Sequence, residues 1–542
     1  MVDTELILEP SGIRIVVDTS QTILDAIREA GHYVPSDCGG RGTCGKCKVV
    51  VKPIPDPSTA DLEQLSISEI RDGTRLACQH QVGNAKRVGI PSQDMGAQIL
   101  TDSLMSERLV ADLGDTNDVG VAIDIGTTTI VCYFMNMGTG IQLGQKSAIN
   151  PQIVHGEDVM SRLSYAIENP EGSTELQEQI WSKVEELIDS FLDEKGIDPR
   201  NITAGSVVGN TAMQHFALGY EVQPLAMAPY TPHKKESTLV RGTEIGLTRF
   251  LNVSIYFSPV VAGFVGGDAL AFMLSRRMED YSGVSLGIDV GTNGEMILSK
   301  HGEIFCCSAA AGPAFEGARI KDGMRAQKGA IEYANIRDAQ STPDLGVIGN
   351  VSPEGICGSG VLDIVAELRS IGQIDDTGRI HEGPRVEEHP KHGRVYRVAD
   401  LGERNARREI ILTQNDVRQV QLAKAAIRAG TEILLSKAGL KSSNIDAVFL
   451  AGAFGNYMRP ESALSIGLLP PVSANRVIPV GNAAGAGAKR ILVSSEERKR
   501  IENIAETANY IELASAEDFN SLFAICTRLI PELVELDAKE GK

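Results

Sequence analysis

The stretch from Cys38 to Cys47, CGGRGTCGKC, constrains the fold of this 542-residue chain more than any other segment. It contains three cysteines, separated by five and then two residues, and Cys78 follows within RLACQ. Two irons with four protein ligands need four thiolates, and three so close in sequence must come from one loop that wraps the cluster. The glycines between them suit such a loop, because glycine adopts positive φ angles without a Cβ clash. The spacing predicts a [2Fe–2S] cluster held by Cys38, Cys44, Cys47 and Cys78 in a ferredoxin-type domain.

The same residues allow less favoured interpretations. Zinc ligands usually come as two short pairs, whereas here three cysteines share one loop and the fourth is alone. A disulfide set fits the pattern still less well. The stretch from Gly40 to Cys47 differs from a phosphate-binding P-loop at one position. Cys47 stands where a P-loop has the Ser or Thr that coordinates Mg²⁺. The first gap has five residues rather than the four of plant-type ferredoxins, so the loop is closer to adrenodoxin-like and related ferredoxins.

Composition narrows the classes of partner and the compartment. Lys and Arg total 52 against 71 Asp and Glu, a net charge of −19, and no dense basic block occurs, which argues against nucleic acid as a partner. The sequence has no apolar run long enough to span a membrane and no signal peptide, so we expect no membrane partner. Five cysteines remain outside the predicted cluster, an odd number that favours reduced thiols and a cytoplasmic location.

The chain is long enough for several domains. Alternating strands, a helix before the cysteine loop and a returning strand predict a β-grasp ferredoxin domain over residues 1–92. Residues 93–117 are polar without a strand pattern and are interpreted as a linker that lets the cluster domain move. We expect a middle domain over 118–203 and a nucleotide-binding domain over 204–542, which gives a multidomain fold of α+β and α/β type.

Two β-hairpins of the same design follow the linker. The first, VGVAIDIGTTTIVCYFMNMGTG, has Asp124 before a tip of Gly126, Thr127 and Thr128. The second, SLGIDVGTNGEMIL, repeats the pattern from Asp289 to Asn293, and the two copies lie 165 residues apart. A third element, AVFLAGAFGNYM, is a buried strand that ends in a glycine loop at 452–455.

These three elements resemble the phosphate-binding and adenosine motifs of the superfamily of acetate and sugar kinases, heat-shock chaperones and actin (ASKHA, with an RNase H-like fold). Backbone N–H groups and Thr hydroxyls at the tips can cradle phosphate oxygens, and an Asp can hold Mg²⁺ directly or through water. The nucleotide-binding residues that the resemblance implies are Gly126, Thr127, Thr128, Gly291, Thr292, Asn293, Gly452, Ala453 and Gly455. The implied catalytic residues are Asp289, Asp124 and Glu316, which follows a Gly-Pro turn. A helix-capping role for Asp268 and Glu316 is as compatible with the sequence as a role on Mg²⁺.

The order of cluster domain, linker and actin-like fold resembles one family, the ATP-dependent reductive activators of corrinoid proteins. The resemblance covers nearly the whole chain through CGGRGTCGKC, AIDIGTTTI, GNTAMQH, GIDVGTNGE, AGPAFEGA, ICGSG, LAGAFGN and GNAAGAGA. It implies an enzyme that passes one electron from its cluster to Co(II) of a corrinoid protein, using ATP, and so regenerates Co(I) for methyl transfer. The implied partners are the corrinoid protein of a methyltransferase system and a low-potential ferredoxin or flavodoxin as donor; we also expect a homodimer.

Two absences refine this expectation. No histidine lies in an Asp-x-His-x-x-Gly pattern, so the corrinoid should belong to a partner. No cysteine group of the [4Fe–4S] type follows Cys78, so the chain should be of the single-cluster type.

Several alternatives stay open. The hairpin at 119–140 could belong to a separate middle domain, in which case Asp124 and Thr127 would not touch ATP. The protein could instead be a nucleotide-gated electron carrier or redox sensor, or an activator of a non-corrinoid acceptor. The dehydratase activators that share an actin-like fold hold a [4Fe–4S] cluster at a dimer interface, which the ferredoxin-type domain here does not resemble.

Overall fold

A computed structural model describes residues 3–9, 12–30, 34, 36, 40–65, 67–90, 109, 112, 117–291 and 293–533. Cys38, Thr292 and nearly all of the predicted linker at 93–117 lie outside these residues, as does the side chain of Ala453. Within the described ranges, no helix has the length and apolarity needed to cross a membrane. The chain divides into two compact units, Met1–Gly96 with Pro151–Glu157, and Ala97–Asn150 with Asp158–Lys542.

The first unit contains a five-stranded mixed sheet with the order β2-β1-β5-β3-β4. Alternation of apolar and polar residues in the first two strands makes an antiparallel hairpin that buries Leu6 and Leu8 against the helix that follows. This arrangement confirms the predicted ferredoxin-type fold. Its elements in chain order are β1 (Asp3–Glu9), β2 (Ile13–Asp18), α1 (Ile23–Glu29), β3 (Lys48–Lys52), α2 (Thr59–Gln64), α3 (Ile67–Arg71), β4 (Thr74–Leu76) and β5 (Arg87–Gly89).

The second unit begins with a six-stranded sheet with the order β10-β11-β9-β6-β7-β8. Helix α5 packs against β7 and β8, and Phe191 of the helix stacks on Phe134 of the sheet at 3.8 Å between ring centroids. The elements are β6 (Val119–Ile125), β7 (Thr129–Asn136), β8 (Gln142–Ile149), α4 (Val159–Glu168), α5 (Gly172–Lys195), β9 (Ile202–Gly209), α6 (Thr211–Leu218), α7 (Gln223–Ala226), β10 (Thr238–Arg241), β11 (Ser254–Phe257) and α8 (Gly267–Ser275).

A second six-stranded sheet, with the order β22-β21-β12-β13-β14-β23, forms the other half of this unit. Two three-stranded sheets, β16-β15-β17 and β18-β19-β20, accompany it. The strands are β12 (Val284–Val290), β13 (Gly294–Lys300), β14 (Glu303–Ala309), β15 (Ala330–Asn335), β16 (Asp344–Val347), β17 (Gly355–Ile356), β18 (Val386–His389), β19 (Gly393–Ala399), β20 (Ile410–Thr413), β21 (Ala447–Ala451), β22 (Val477–Gly481) and β23 (Asn509–Tyr510). The helices are α9 (Gly358–Ser370), α10 (Gln414–Lys437), α11 (Gly452–Tyr457), α12 (Pro460–Ser465), α13 (Ala483–Val493), α14 (Ser495–Thr507) and α15 (Phe519–Cys526).

The two large sheets repeat one topology. In each, three antiparallel strands are followed by two strands that add in parallel beside the first, giving β8-β7-β6-β9-β11 and β14-β13-β12-β21-β22. This duplicated RNase H-like arrangement confirms the predicted actin-like fold. The expected division at 203 and 204 falls inside β9, which pairs with β6 from Ile202 to Gly209, so the first hairpin and the residues after 204 share one sheet.

The two halves are joined by helices α8 and α13, which cross at van der Waals distance. At Gly487 of α13, a Cβ atom would lie 2.3 Å from the backbone oxygen of Ala271 in α8. Asp112 of the linker donates its backbone N–H to the carbonyl of Val493, at the end of α13, at 2.9 Å. The small residues of the GNAAGAGA segment are therefore required by close helix packing.

We expect Gly487→Ala to destabilise the protein by about 1–3 kcal/mol, because the added methyl meets backbone atoms that cannot rotate away. The higher helix propensity of alanine, worth about 1 kcal/mol, offsets only part of this cost. Chemical denaturation followed by circular dichroism measures the difference. Lys499→Ala, at an exposed position of α14, is the control and should change stability by less than about 0.5 kcal/mol. Equal stability of the two variants would contradict the close-packing argument.

Candidate cluster loop and nucleotide cleft

Strand pairing brings two predicted cluster ligands together. Cys47 immediately precedes β3, and Cys78 lies in a turn of 3₁₀ helix (Ala77–Gln79) immediately after β4. Because β3 and β4 are antiparallel with Lys48 opposite Leu76, the backbone N–H of Ala77 donates to the Cys47 carbonyl at 2.8 Å. The sulfurs of Cys47 and Cys78 are 3.3 Å apart and both residues are buried.

The described part of the cysteine loop, from Gly40 to Cys47, turns at three glycines. Gly40, Gly42 and Gly45 have φ angles of 85°, 74° and 67°, which residues with a Cβ rarely adopt. Two thiolates on one tetrahedral metal at about 2.3 Å lie roughly 3.8 Å apart, and the Cys47–Cys78 separation is close to this distance. A hydrogen bond from the Cys47 thiol lowers the pKa of Cys78 to about 6, so one of the two sulfurs ionises easily. The described residues therefore fit a [2Fe–2S] cluster, with Cys44 on the same loop.

Asp61 supports this geometry from beneath. Its buried carboxylate accepts hydrogen bonds from the backbone N–H groups of Leu76 and Ser58, each at 2.8 Å, and lies 2.5 Å from His80 Nε2. Burial raises the pKa of Asp61, but these hydrogen bonds, that to His80 first, lower it below its usual value overall. Asp61 thereby fixes the end of β4, the strand that leads directly into the turn with Cys78. Sequence reasoning missed this residue, since an Asp after Ser-x-x reads as an ordinary helix cap.

In the second unit, the two predicted hairpins end at equivalent positions of the duplicated sheets. Asp124 is the next-to-last residue of β6 and Asp289 is the next-to-last residue of β12. The first tip is held by Asn150, whose side chain donates to the Gly126 carbonyl at 2.9 Å. In addition, the guanidinium of Arg162 donates to the Thr127 carbonyl at 2.6 Å. The tip is thus fixed before any ligand arrives.

The third predicted element approaches Asp289 directly. Gly452 follows β21 with a φ of 80°, and a Cβ there would lie 2.6 Å from the Asp289 carboxylate, so only glycine fits. The predicted glycine loop is instead the first turn of helix α11, because the chain enters a helix immediately after the strand. Phe454 of this helix stacks on Phe315 at 4.4 Å, which places the Gly-Pro turn with Glu316 beside the same element.

Two further carboxylates join Asp124 and Asp289. Glu295 of β13 is the direct cross-strand partner of Asp289, and Asp268 is in the first turn of α8. Burial, followed by the charges of Asp289 and Asp124, raises the pKa of Asp268 to about 7. Burial and the Asp124 charge raise the pKa of Asp289 to about 7. The pKa of Glu295 is raised by burial and by the charges of Asp268 and Asp289. The cleft therefore concentrates negative charge that a cation can neutralise.

Asn482, which precedes α13, makes the hydrogen bond that favours ionised Asp124. Its side-chain amide donates to Asp124 Oδ2 at 2.8 Å, while its carbonyl oxygen caps the helix by accepting from Gly485 N at 2.6 Å. Burial raises the pKa of Asp124 to about 6, and the Asn482 hydrogen bond opposes that rise.

The halves of the cleft are related by the duplication but differ in charge. Helix α13 supplies neutral Asn482 beside Asp124, whereas helix α8 supplies acidic Asp268 near Asp289. Asn210, at the start of α6, completes the first side by donating to Thr127 Oγ1 at 3.0 Å. Sequence reasoning left Asp268 undecided and missed Glu295 and Asn482, although GTNGE and GNAAG lie inside segments that it singled out.

Among the described residues, no three His, Cys, Asp or Glu side chains are placed to hold a metal ion together. A Mg²⁺ ion in the cleft would therefore take further ligands from water and from the phosphates of a nucleotide, as Mg²⁺ commonly does. Of the predicted contacts, Asn293 closes the second tip by accepting from Gly291 N at 3.0 Å, and Gly455 lies in α11. The nucleotide contacts of Thr128 and of the other named residues stay predictions.

The fold and the site define an iron–sulfur protein whose cluster domain precedes an actin-like nucleotide-binding unit. Residues 283–536 match the model of the C-terminal, ASKHA domain of RACo, residues 119–281 match the RACo middle region, and residues 6–83 match a 2Fe–2S iron–sulfur cluster binding domain. The chain belongs to the RACo family of reductive activators of corrinoid proteins. These matches confirm two of the predicted cofactors, a [2Fe–2S] cluster and ATP, while Mg²⁺ stays a prediction.

Individual relatives that cover most of the chain are consistent with this family. The chain is 30% identical to the corrinoid activation enzyme RamQ of Eubacterium limosum, over 94% of this chain and 97% of that protein. It is 27% identical to the [Co(II) methylated amine-specific corrinoid protein] reductase of Methanosarcina barkeri, over 74% and 76% of the two chains. A solved structure of a reductive activator for a corrinoid, iron–sulfur protein superposes with a TM-score of 0.69 and 28% identity, covering 97% of this chain and 98% of the other.

We expect Asn482→Asp to shift the pH dependence of Mg²⁺–ATP binding to higher pH. The change keeps a capping oxygen for α13 but replaces the donor to Asp124 with a negative charge, which raises the Asp124 pKa above about 6. Loss of a hydrogen bond to a charged group, about 1.5–3 kcal/mol, corresponds to a shift of roughly one to two pH units. Calorimetric titrations between pH 5 and 8 measure the shift.

Asn503→Asp, on the exposed side of α14, is the control for an added charge and should leave the profile unchanged. An unchanged profile in Asn482→Asp would show that Asp124 does not contribute to nucleotide binding, which is the alternative that the sequence leaves open.

The raised carboxyl pKa values predict a second pH effect. A carboxyl group with a folded-state pKa of about 7 favours folding below its unfolded pKa near 4, and this contribution is lost as the pH rises through 7. The ligand-free protein should therefore unfold at a lower temperature at pH 8 than at pH 5. Glu295→Gln removes a further carboxyl group whose pKa is raised by burial and by the charges of Asp268 and Asp289, and should reduce the difference. Glu303→Gln, on an exposed position of β14, is the control in calorimetry; equal pH dependence in both variants would contradict the prediction.

Proposed function

We propose that this protein passes one electron from its [2Fe–2S] cluster to Co(II) of a corrinoid protein, with ATP, and regenerates Co(I). The observation that carries the proposal is the presence of a cluster loop and a duplicated acidic nucleotide cleft in one chain of the RACo family. The activities for which the relatives are named, corrinoid activation and reduction of a Co(II) corrinoid protein, support the same reaction.

The protein's own residues would hold each of the two reactive groups. The four cysteines hold the cluster, which supplies a one-electron donor when bound. The hairpin tips offer backbone N–H groups and the Thr127 and Thr128 hydroxyls to the phosphates, while Asp124 and Asp289 hold Mg²⁺ through water or directly. Glu316 is proposed as a third acidic contributor beside α11. The pre-fixed first tip lets phosphate binding occur without ordering the loop.

Energy input from ATP is expected on thermodynamic grounds. Plant-type [2Fe–2S] centres lie near about −400 mV, and a bound Co(II)/Co(I) couple should lie lower. Each 100 mV of uphill transfer for one electron costs about 2.3 kcal/mol. Four carboxylates from both halves of the duplicated fold face the cleft, so Mg²⁺ and nucleotide can draw the halves together by neutralising their repulsion.

The remaining features of the proposal concern organisation. We place the boundary between the two actin-like halves at 281–283, where the two family matches meet, rather than at 203. A low-potential ferredoxin or flavodoxin is proposed as the donor and a homodimer as the working form. A cytoplasmic location is supported by the five cysteines outside the proposed cluster, which are free thiols: Cys132, Cys306, Cys307, Cys357 and Cys526.

The test follows the visible spectrum of a corrinoid protein held as Co(II), mixed anaerobically with this protein and a low-potential reductant. We expect the Co(I) band to grow only when ATP is added. Cys47→Ser should abolish the band through loss of a cluster ligand. Asp289→Asn should slow its growth at least tenfold, because the cleft loses a carboxylate for Mg²⁺.

Matched controls separate these roles from damage to the fold. Cys357→Ser should retain activity, because the Cys357 thiol already donates to the Ile331 carbonyl and a hydroxyl can do the same. Asp338→Asn, in an exposed loop, should also retain activity. Reduction of the cluster without any change at cobalt, across several corrinoid proteins, would refute the proposal and favour an electron carrier or redox sensor.

A further inference from the structure

Gln79 lies next to the cluster ligand Cys78 and turns its side chain back over the cysteine loop. Its amide nitrogen is 3.4 Å from Cys78 Sγ, 3.1 Å from the Gly40 carbonyl and 3.2 Å from the Cys78 carbonyl. An amide NH₂ has two hydrogens, so it can donate to the sulfur and to a backbone carbonyl of the loop together. The side chain thus joins the loop to the turn that carries the fourth ligand.

The loop is shaped to admit this side chain. A Cβ on Gly42 would lie 2.7 Å from Cδ of Gln79, so any other residue at position 42 would displace the amide. Gln79 is exposed while Cys78 is buried, and the Gln79 amide nitrogen contacts the buried sulfur. The absence of a Cβ at Gly42 therefore makes room for the Gln79 amide beside the loop.

We propose that Gln79 sets the reduction potential of the [2Fe–2S] cluster by donating an N–H group to the sulfur of Cys78. Reduction adds one negative charge to a cluster that its thiolates already make negative. A hydrogen-bond donor on a ligand sulfur stabilises that charge, so it favours the reduced state and raises the potential. The proposal depends only on the cluster domain and is independent of the acceptor of the electron.

The consequence is a cluster that is easier to reduce than its four thiolate ligands alone would make it. A higher potential lets a donor reduce the cluster more completely, at the expense of driving force toward a low-potential acceptor. Gln79 would therefore determine how the uphill work is divided between the reduction of the cluster and the step that follows it.

The test is a redox titration of the full-length protein with a reconstituted cluster, followed by the electron paramagnetic resonance signal of the reduced form. Gln79→Leu removes the donor and keeps a side chain of similar length. We expect the ratio of reduced to oxidised cluster at a fixed solution potential to fall about tenfold, which for one electron equals about 59 mV.

Gln64 provides the matched control, because its Cβ lies 3.1 Å from the Cβ position of Gly45 on the same loop. Gln64→Leu should change the ratio less than twofold. An unchanged ratio in Gln79→Leu, or an equal fall in Gln64→Leu, would overturn the proposal, since solvent or loop polarity would then explain the potential.

A second pair of variants keeps the test decisive if Gln79→Leu loses the cluster. Gln79→Lys retains an N–H donor and should hold the ratio at or above that of the native protein. Gln79→Glu places an acceptor at the sulfur and should lower the ratio below that of the native protein. The same charges at position 64 should produce smaller changes of the same sign, and equal changes at both positions would overturn a direct contact with the sulfur.

Discussion

Repulsion among carboxylates in the cleft is the constraint on which the nucleotide-binding unit depends. Asp289 and Glu295 face each other directly across a hairpin, an arrangement that destabilises a sheet unless a proton or cation intervenes. Asp124 and Asp268 add to the same field from the other half of the fold. In the ligand-free protein the raised pKa values favour protonation, which reduces the repulsion. Binding of Mg²⁺ with nucleotide would reduce the same repulsion by neutralising the charges. The cleft is therefore built to respond to its ligand.

The packing of α8 against α13 positions the residues at the cleft ends of both helices. Each helix starts at the cleft, α8 with Asp268 and α13 behind Asn482, and the two cross at a glycine that leaves no room for a Cβ. The far end of α13 receives the linker residue Asp112. Helix α13 is thus contacted at its beginning, through Asn482, by the aspartate of the first hairpin and at its end by Asp112 of the predicted linker.

In the cluster domain, the predicted ligands are distinct from the residues that hold them in place. The cysteines are set on a glycine loop and a strand end, while Asp61 anchors that strand and Gln79 lies over the loop. Neither residue belongs to a metal-ligand spacing, yet both contact the surroundings of the fourth predicted ligand. Such residues determine how a metal centre behaves once its ligands are in place.

The sequence by itself determined the ferredoxin-type and actin-like folds and the family, and it predicted the cluster cysteines, because closely spaced cysteines and repeated hairpins are local patterns. It did not determine the partners of these residues. The amide of Asn482 meets Asp124 across 358 residues, and Glu295 opposes Asp289 only through the register of a hairpin. Nor did the sequence show that β9, which spans the domain boundary expected at 203 and 204, pairs with β6, since a strand's partner cannot be read from the strand. Only the tertiary structure fixed these contacts, because they arise from the packing of two similar halves around crossed helices.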